Sequence, residues 1–145
     1  MRLLIQRVLE ARVEVDSITV GAIKKGLLVF VCAMDEEQVD LESWAKRICA
    51  LRLFNDASGR MNHNLSQASG ELLLVPQFTL SADMKKGLRP SFSRASSPTL
   101  AKNQIEALAK ACEDQGARVS SGRFGADMKV HLINDGPVTL FIDKN

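Results

Sequence analysis

An unbroken apolar run, residues 27–34, constrains the fold of this chain more than any other stretch. It follows Gly26 and is rich in valine, so its length and composition predict a β-strand that is buried on both faces. A second stretch, residues 71–75, is apolar after its first residue, Glu71, and predicts another buried strand. Neither run approaches the ~20 apolar residues that a membrane-spanning helix requires, so we expect no contact with a membrane.

Further strands are predicted from alternating apolar residues at the two ends of the chain. They are expected at 2–9, 11–15, 18–20, 129–133 and 138–142. The last two flank Asn134-Asp135-Gly136-Pro137, which is typical of a turn.

Two amphipathic helices are predicted from capping residues and helical spacing. The first is expected to begin near Asp35, which with Gln38 is similar to a capping box. The second has Ser97 as its N-cap and Pro98 as its first residue, and it ends at Gly116. The chain, residues 1–145, is therefore predicted to be a single α+β domain. Its core is an antiparallel or barrel-like sheet, with both helices packed on one side.

The side-chain inventory excludes several classes of active site. The chain has two histidines, three cysteines and no tyrosine, and it contains no P-loop, dinucleotide-binding fingerprint or metal-ligand cluster. We therefore expect no metal and no other cofactor. An odd number of widely spaced cysteines favours a reducing compartment, and the N-terminus has no export signal, so we expect a cytoplasmic protein.

A cationic loop is one candidate for ligand binding. It contains Lys85, Lys86, Arg89 and Arg94, with Phe92 among them. Cations beside an aromatic ring can hold the phosphates of a nucleic acid and stack a base. A solvated surface loop explains the same charges. The isoelectric point of about 8.5 favours that simpler interpretation when the loop is considered alone.

Two short motifs are the other candidates. Gln77, Phe78 and Thr79 follow a predicted strand, where catalytic groups often lie. A threonine nucleophile needs an adjacent base, and the sequence assures none, so an ordinary strand residue is the simpler interpretation of Thr79. In Gly136-Pro137, glycine allows a close backbone approach to a ligand and the peptide bond can be cis, although an ordinary trans turn is more common.

Taken together, these segments resemble the D-aminoacyl-tRNA deacylase family, nearly from end to end. The most specific motifs are 77–80 (QFTL), 122–128 (GRFGADM) and 134–139 (NDGPVT), supported by 4–8, 26–29, 51–54 and 85–92. Several motifs in the right order over one short chain are a specific signal.

The resemblance implies a homodimeric, cytoplasmic hydrolase that cleaves the ester between a D-amino acid and the 3′ end of tRNA. It also implies that the enzyme removes glycine mischarged onto alanine tRNA. Gly136-Pro137 would form a cis dipeptide that enters the partner subunit's pocket and faces Gln77 to Thr79, so the active sites would lie at the subunit interface. Its carbonyls would accept hydrogen bonds from the α-ammonium group of the substrate, and an L side chain would collide with it.

The resemblance also suggests how the tRNA is held. Phe124 is expected to pack against the terminal adenine, and Lys85, Lys86 and Arg89 to bind the substrate. No DNA partner is implied. A non-catalytic dimeric module that binds RNA ends through the same cationic loop is the alternative.

Two catalytic mechanisms are open. Thr79 is the nucleophile or positions water in one of them. In the other, the terminal ribose 2′-OH supplies the activation, while backbone amides around Phe78 and Thr79 supply hydrogen bonds. We favour the second, because the sequence offers Thr79 no dependable base. The family usually has serine before Gln-Phe-Thr, whereas this chain has Pro76, and we expect activity to survive that difference.

Overall fold

The computed structural model describes residues 1–35, 38–85 and 87–143. The strands and helices in chain order are β1 (Arg2–Val15), β2 (Ile18–Ile23), β3 (Gly26–Cys32), α1 (Leu41–Ala50), β4 (Phe54–Asn55), β5 (Met61–His63), β6 (Glu71–Pro76), α2 (Pro98–Asp114), β7 (Val119–Ser121) and β8 (Lys129–Asp143). A 3₁₀ turn, Phe78–Ser81, follows β6. Among the described residues, no helix is long and apolar enough to cross a membrane.

The main sheet is mixed, whereas the sequence predicted antiparallel strands. Strand β1 pairs antiparallel with β2, β3 and β8, but β3 and β6 are parallel, and so are β6 and β7. The connection from β3 to β6 contains α1 and that from β6 to β7 contains α2, and such helical crossovers return the chain to the same end of the sheet. The α+β class, the barrel-like sheet and the two helices are confirmed.

Strand β3 is buried on both faces, as predicted. Leu27, Val29 and Val31 pack in the core beneath α1 and α2, together with side chains such as Trp44 and Leu108. The alternate residues of β3 pack into a second core, which the curled sheet itself encloses. The curl brings β7 close to β2, where the Ser120 hydroxyl donates to the Ala22 carbonyl at 3.1 Å, so the barrel is nearly closed.

The helix ends were predicted with mixed success. Ser97 caps α2 and Pro98 is its first residue, and Gly116 follows its end with a φ of +86°, as expected. The start of α1 was predicted wrongly. Asp40 is its N-cap and accepts from the Ser43 amide at 2.9 Å, whereas the Asp35 amide donates to the Arg94 carbonyl at 2.9 Å, ahead of α2.

The two long terminal strands were each predicted as two pieces, which is wrong. Strand β8 runs through residues 134–137 without reversing. Its pairing with β1 shifts there: Gln6 lies opposite Thr139 and Val8 opposite Asn134, so residues 135–138 oppose Arg7 alone. The excess length forms a bulge, which pushes the chain out of the sheet without turning it back.

Candidate functional site

A cavity of about 520 Å³ opens at the carboxyl end of β6, between α2 and the segment that precedes β8. Its lining is mainly apolar and includes Val31, Val75, Gln77, Phe78, Ile105, Phe124 and Met128. Two of the sequence motifs, 77–80 and 122–128, therefore meet at one cavity. A mostly apolar cavity with a few polar groups at its rim is typical of a small-molecule or nucleoside site.

Pro76 ends β6 without breaking the sheet. The Gln77 amide donates to the Val31 carbonyl at 2.8 Å, so the nitrogen of the preceding residue points away from β3. The Pro76 nitrogen therefore faces the β7 side of β6. There β7 has already ended, since its last residue, Ser121, pairs with Leu74. Proline is acceptable where no ladder hydrogen bond is lost, which explains how the chain tolerates it here.

The Gln-Phe-Thr motif continues as a 3₁₀ turn rather than as a strand, and side chains from β1 and from the turn itself hold it. The Arg2 guanidinium donates through Nη1 to the Leu80 carbonyl at 3.0 Å and through Nε to the Asp143 carboxylate at 2.8 Å. The Ser81 hydroxyl donates to the Phe78 carbonyl at 2.7 Å. These contacts fix the backbone of the motif at the rim of the cavity.

The turn leaves two backbone donors available. The first N–H groups of a helical turn have no partner within it. In the described part of the chain, the Phe78 and Thr79 amides have no hydrogen-bond acceptor. The Thr79 side chain is exposed, and its hydroxyl accepts from the Gln77 side-chain amide. An amide donor is not a base, so nothing in this contact activates Thr79 as a nucleophile.

The cationic loop is joined to the same turn. Asp83 and Ser91 exchange backbone hydrogen bonds at 2.8 and 3.0 Å, which closes the loop at its base. The Phe78 and Phe92 rings pack edge to face, with their centroids 5.0 Å apart. Lys85 and Arg89 are exposed and make no ion pair within the described residues, while Lys86 lies outside them.

The Gly136-Pro137 bulge is exposed and is braced from behind by Arg7. This arginine is 6% exposed. Its Nε donates to the Asp135 carbonyl at 3.2 Å, and Nη1 donates to the Leu53 carbonyl at 2.6 Å. The sequence analysis missed this residue, although a charged side chain at an inward-facing position of an apolar strand is a usable signal.

Asn134 braces the same bulge at its base. Its side-chain amide donates to the Arg7 and Val138 carbonyls, both at 3.0 Å. One side chain therefore bridges the two points at which the bulge leaves and rejoins the strand. The backbone of the bulge is held between these contacts and Arg7.

The cis bond expected at Gly136-Pro137 is a wrong prediction for this structure. All described peptide bonds are trans, and Gly136 has a φ of +114°. Trans is the lower-energy isomer of an X-Pro bond, and a glycine in the bulge accommodates it without strain. Neither residue lines the cavity of its own chain. Gln77, Phe78 and Phe124 meet at the cavity, while Thr79, Lys85 and Arg89 lie outside its lining.

Cys32 is buried beneath the turn and has little nucleophilic character. Burial raises the pKa of its thiol, which lies 3.5 Å from the Phe78 carbonyl. A protonated thiol is a poor nucleophile, so the residue acts as packing. The described residues contain no group of three or more His, Cys, Asp and Glu side chains that could hold a metal ion.

Comparison with known proteins decides the family. The profile of the D-Tyr-tRNA(Tyr) deacylase family matches residues 4–143. The chain belongs to this family. It is 50% identical over 137 residues to a D-aminoacyl-tRNA deacylase of Shewanella loihica, a match that covers 94% of each chain. A D-aminoacyl-tRNA deacylase of Thermosipho africanus is 47% identical over 144 residues, covering 99% of this chain and 97% of the relative.

Solved structures share the fold of this deacylase family member. The c-Myc DNA unwinding element binding protein is 32% identical, with a TM-score of 0.92 over 100% of this chain and 99% of that one. A probable eukaryotic D-amino acid tRNA deacylase has a TM-score of 0.83, covering 99% and 98% of the two chains, at 16% identity. The resemblance inferred from the motifs is confirmed.

Proposed function

We propose that this protein hydrolyses the ester bond of D-aminoacyl-tRNA and releases the D-amino acid and free tRNA. The observation that carries the proposal is the family match over residues 4–143. The fold offers a place for the reaction, because Gln77 and Phe78 lie at an apolar cavity. A tRNA-editing activity belongs where aminoacyl-tRNA is made and used, so we place the protein in the cytoplasm.

The terminal adenosine of the tRNA is proposed to enter the cavity. Phe124 offers a ring on which the adenine can stack, and the surrounding apolar side chains exclude water from it. The aminoacyl ester then lies at the rim, beside Gln77 and Phe78. Lys85 and Arg89, whose charges are unpaired in the described structure, meet the tRNA phosphates, with Lys86 assigned to the same role from the sequence.

Hydrolysis is proposed to depend on backbone donors and on the substrate's own 2′-OH. The unpaired Phe78 and Thr79 amides can donate to the oxyanion that forms when water attacks the ester carbonyl. Thr79 and Gln77 shape this turn through their mutual hydrogen bond. The 2′-OH of the terminal ribose, adjacent to the ester, is positioned to activate the attacking water. Thr79 as the nucleophile is the less favoured mechanism, because it contacts no base in the described structure.

Chiral selection is assigned to the Gly136-Pro137 bulge of a second copy of the chain, through its fixed backbone carbonyls and without a cis peptide bond. Both residues are exposed, project from β8 and do not line their own cavity. A bulge whose backbone is held by Arg7 and Asn134 offers fixed carbonyls for the α-ammonium group of the substrate. An L side chain would collide with the bulge, whereas a D side chain would point away from it. Glycine has no side chain to exclude, so glycine mischarged on alanine tRNA is a second proposed substrate.

The test is hydrolysis of matched aminoacyl-tRNAs. The protein should release D-tyrosine from tRNA and glycine from alanine tRNA, and it should leave L-tyrosyl-tRNA intact. Equal rates on the D and L esters would reject the chiral filter. Salt-sensitive tRNA binding without hydrolysis of any ester would support the non-catalytic RNA-end-binding module instead.

A further inference from the structure

A smaller recess adjoins the cavity on its α2 side. Its volume is about 230 Å³, and it shares the walls Pro76, Ile105 and Phe124 with the cavity. The rest of its lining comes from α2, from Ser121 at the end of β7 and from Gly122, which follows it. Because Phe124 lines both spaces, a chain of two nucleotides can place one unit in each, on either side of this side chain.

The polar groups around the recess have a mixed character. They are two carboxylates, two ammonium groups and one hydroxyl, from Glu106, Glu113, Lys102, Lys110 and Ser121. Carboxylates accept hydrogen bonds from the exocyclic amine of cytosine, while ammonium and hydroxyl groups donate to its ring acceptors. Uracil presents a carbonyl where cytosine has the amine, so at that position it cannot donate to the carboxylates. The Phe124 ring adds a stacking surface.

A separate cation, Arg123, comes directly before Phe124 in the chain, although its own side chain lines neither space. Arg123 lies between Gly122, which lines the recess, and Phe124, which lines both. Its side chain is exposed and makes no ion pair with any described residue. The lysines of the recess differ in this respect, since Lys110 pairs with Asp114 at 2.8 Å and Lys102 with Glu106 at 3.9 Å. Arg123 is therefore an exposed cation beside Phe124 that is free to meet a phosphate.

We propose that the recess binds the penultimate nucleotide of the tRNA 3′ end, a cytidine, and that Arg123 contacts the phosphate that joins it to the terminal adenosine. The inference rests on the proposed function, in which the terminal adenosine occupies the cavity. All tRNAs end in the sequence CCA, so a cytidine subsite strengthens binding of every tRNA without selecting among them.

The test compares D-tyrosyl esters of adenosine, of the dinucleotide CpA and of the dinucleotide UpA. The unmodified protein should hydrolyse the CpA ester with a kcat/KM about tenfold above that of the adenosine ester, the gain expected from one stacked and hydrogen-bonded base. The UpA ester should show little of this gain. Equal kcat/KM values for the adenosine and CpA esters would overturn the proposal, as would equal values for CpA and UpA.

Two variants on α2 provide the matched comparison. Ala109→Phe fills the recess from a residue that does not itself line the cavity, whereas Ala107→Phe adds the same ring to an exposed position that lines neither space. Ala109→Phe should abolish the CpA gain and leave the adenosine ester unaffected, and Ala107→Phe should keep the gain. Retention of the gain in Ala109→Phe would contradict the subsite.

Arg123→Ala gives an independent check, because the residue is exposed and its loss should not impair folding. It should reduce the rate on the CpA ester and not on the adenosine ester, and an unchanged CpA rate would remove Arg123 from the proposal. Failure of the proposed function is distinguishable, since the unmodified protein would then not hydrolyse D-tyrosyl-tRNA itself. Hydrolysis of the tRNA ester but of neither small ester would count against the two subsites.

Discussion

Arg7 holds the Gly136-Pro137 bulge, and replacing it with methionine tests how much of the site depends on one buried guanidinium. The variant keeps most of the side-chain volume and removes the donors to the Leu53 and Asp135 carbonyls. A buried hydrogen bond from a charged donor contributes roughly 1.5–3 kcal/mol. Arg7 also forms an ion pair with the Asp135 carboxylate at 3.1 Å, and the Asp135 side chain is 37% exposed. Solvent screens such a pair, so it adds about 0.5–1 kcal/mol.

Methionine recovers part of the cost of burying a charge, so the net loss should lie below the sum of these contributions. We expect Arg7→Met to lower the free energy of unfolding by about 2 kcal/mol, measured by urea denaturation. The rate on D-tyrosyl-tRNA should fall about tenfold or more, because the carbonyls of the bulge lose their restraint.

Arg12 on the same strand provides the control. Its side chain is 43% exposed and pairs with Glu14 at 2.9 Å, so Arg12→Met should cost no more than about 1 kcal/mol and should leave the rate unchanged. If both variants lose the same stability, the assignment of a special role to the buried arginine is wrong. An Arg7→Met protein with full activity would likewise refute the bracing of the bulge.

Three other predictions concern the Phe78–Ser81 turn and the residues packed around it. Arg2→Ala removes the donor to the Leu80 carbonyl and should lower kcat about tenfold with little change in KM. Arg2→Lys should restore part of the loss, and a change in KM alone would contradict this prediction. Pro76→Ser should change turnover by less than about tenfold, because the missing N–H breaks no sheet bond, and a gain of several hundredfold would show that the proline impairs catalysis. The pKa of Cys32 is raised by burial, so the stability contributed by its protonated thiol is complete below about pH 9 and is lost as pH rises toward the folded-state pKa. As the pH rises above about 9, the unmodified protein should therefore lose more unfolding free energy than Cys32→Ala, by at most about 1.4 kcal/mol per pH unit. Equal losses would contradict the burial effect.

Local patterns predicted the parts of the fold that depend on neighbouring residues. The apolar run that forms β3 and the Ser97-Pro98 start of α2 are examples, since periodicity and capping act over a few positions. The parallel pairing of β3 with β6 depends on how two crossover helices pack, which no single segment encodes. The continuity of β8 through Pro137 depends on its pairing with the long β1, which local turn propensity does not reveal.

The candidate site was predictable to a similar extent. The motifs around Gln77 and Phe124 were identified from the sequence, and the structure brings them to one cavity. The bracing role of Arg7 was missed because its partners are distant carbonyls at Leu53 and Asp135, and main-chain acceptors leave no mark in a sequence. The isomer of the Gly136-Pro137 bond was predicted wrongly. The cis and trans forms of an X-Pro bond differ little in energy, so the surrounding structure decides between them, and the local sequence does not reveal it.

The central claim is that one copy supplies the cavity and a second copy supplies the Gly136-Pro137 bulge, and mixed dimers test it most directly. Ala126→Phe should block the cavity, and Gly136→Val should distort the bulge, because a side chain there meets the Arg7 guanidinium at a φ of +114°. Each variant alone should be inactive on D-tyrosyl-tRNA. When equal amounts of the two variants reassemble at random, about half of the dimers are mixed, and each mixed dimer has one intact site out of two. About a quarter of the unmodified activity should therefore return. No recovery from a mixture whose subunits have demonstrably exchanged would contradict the shared site.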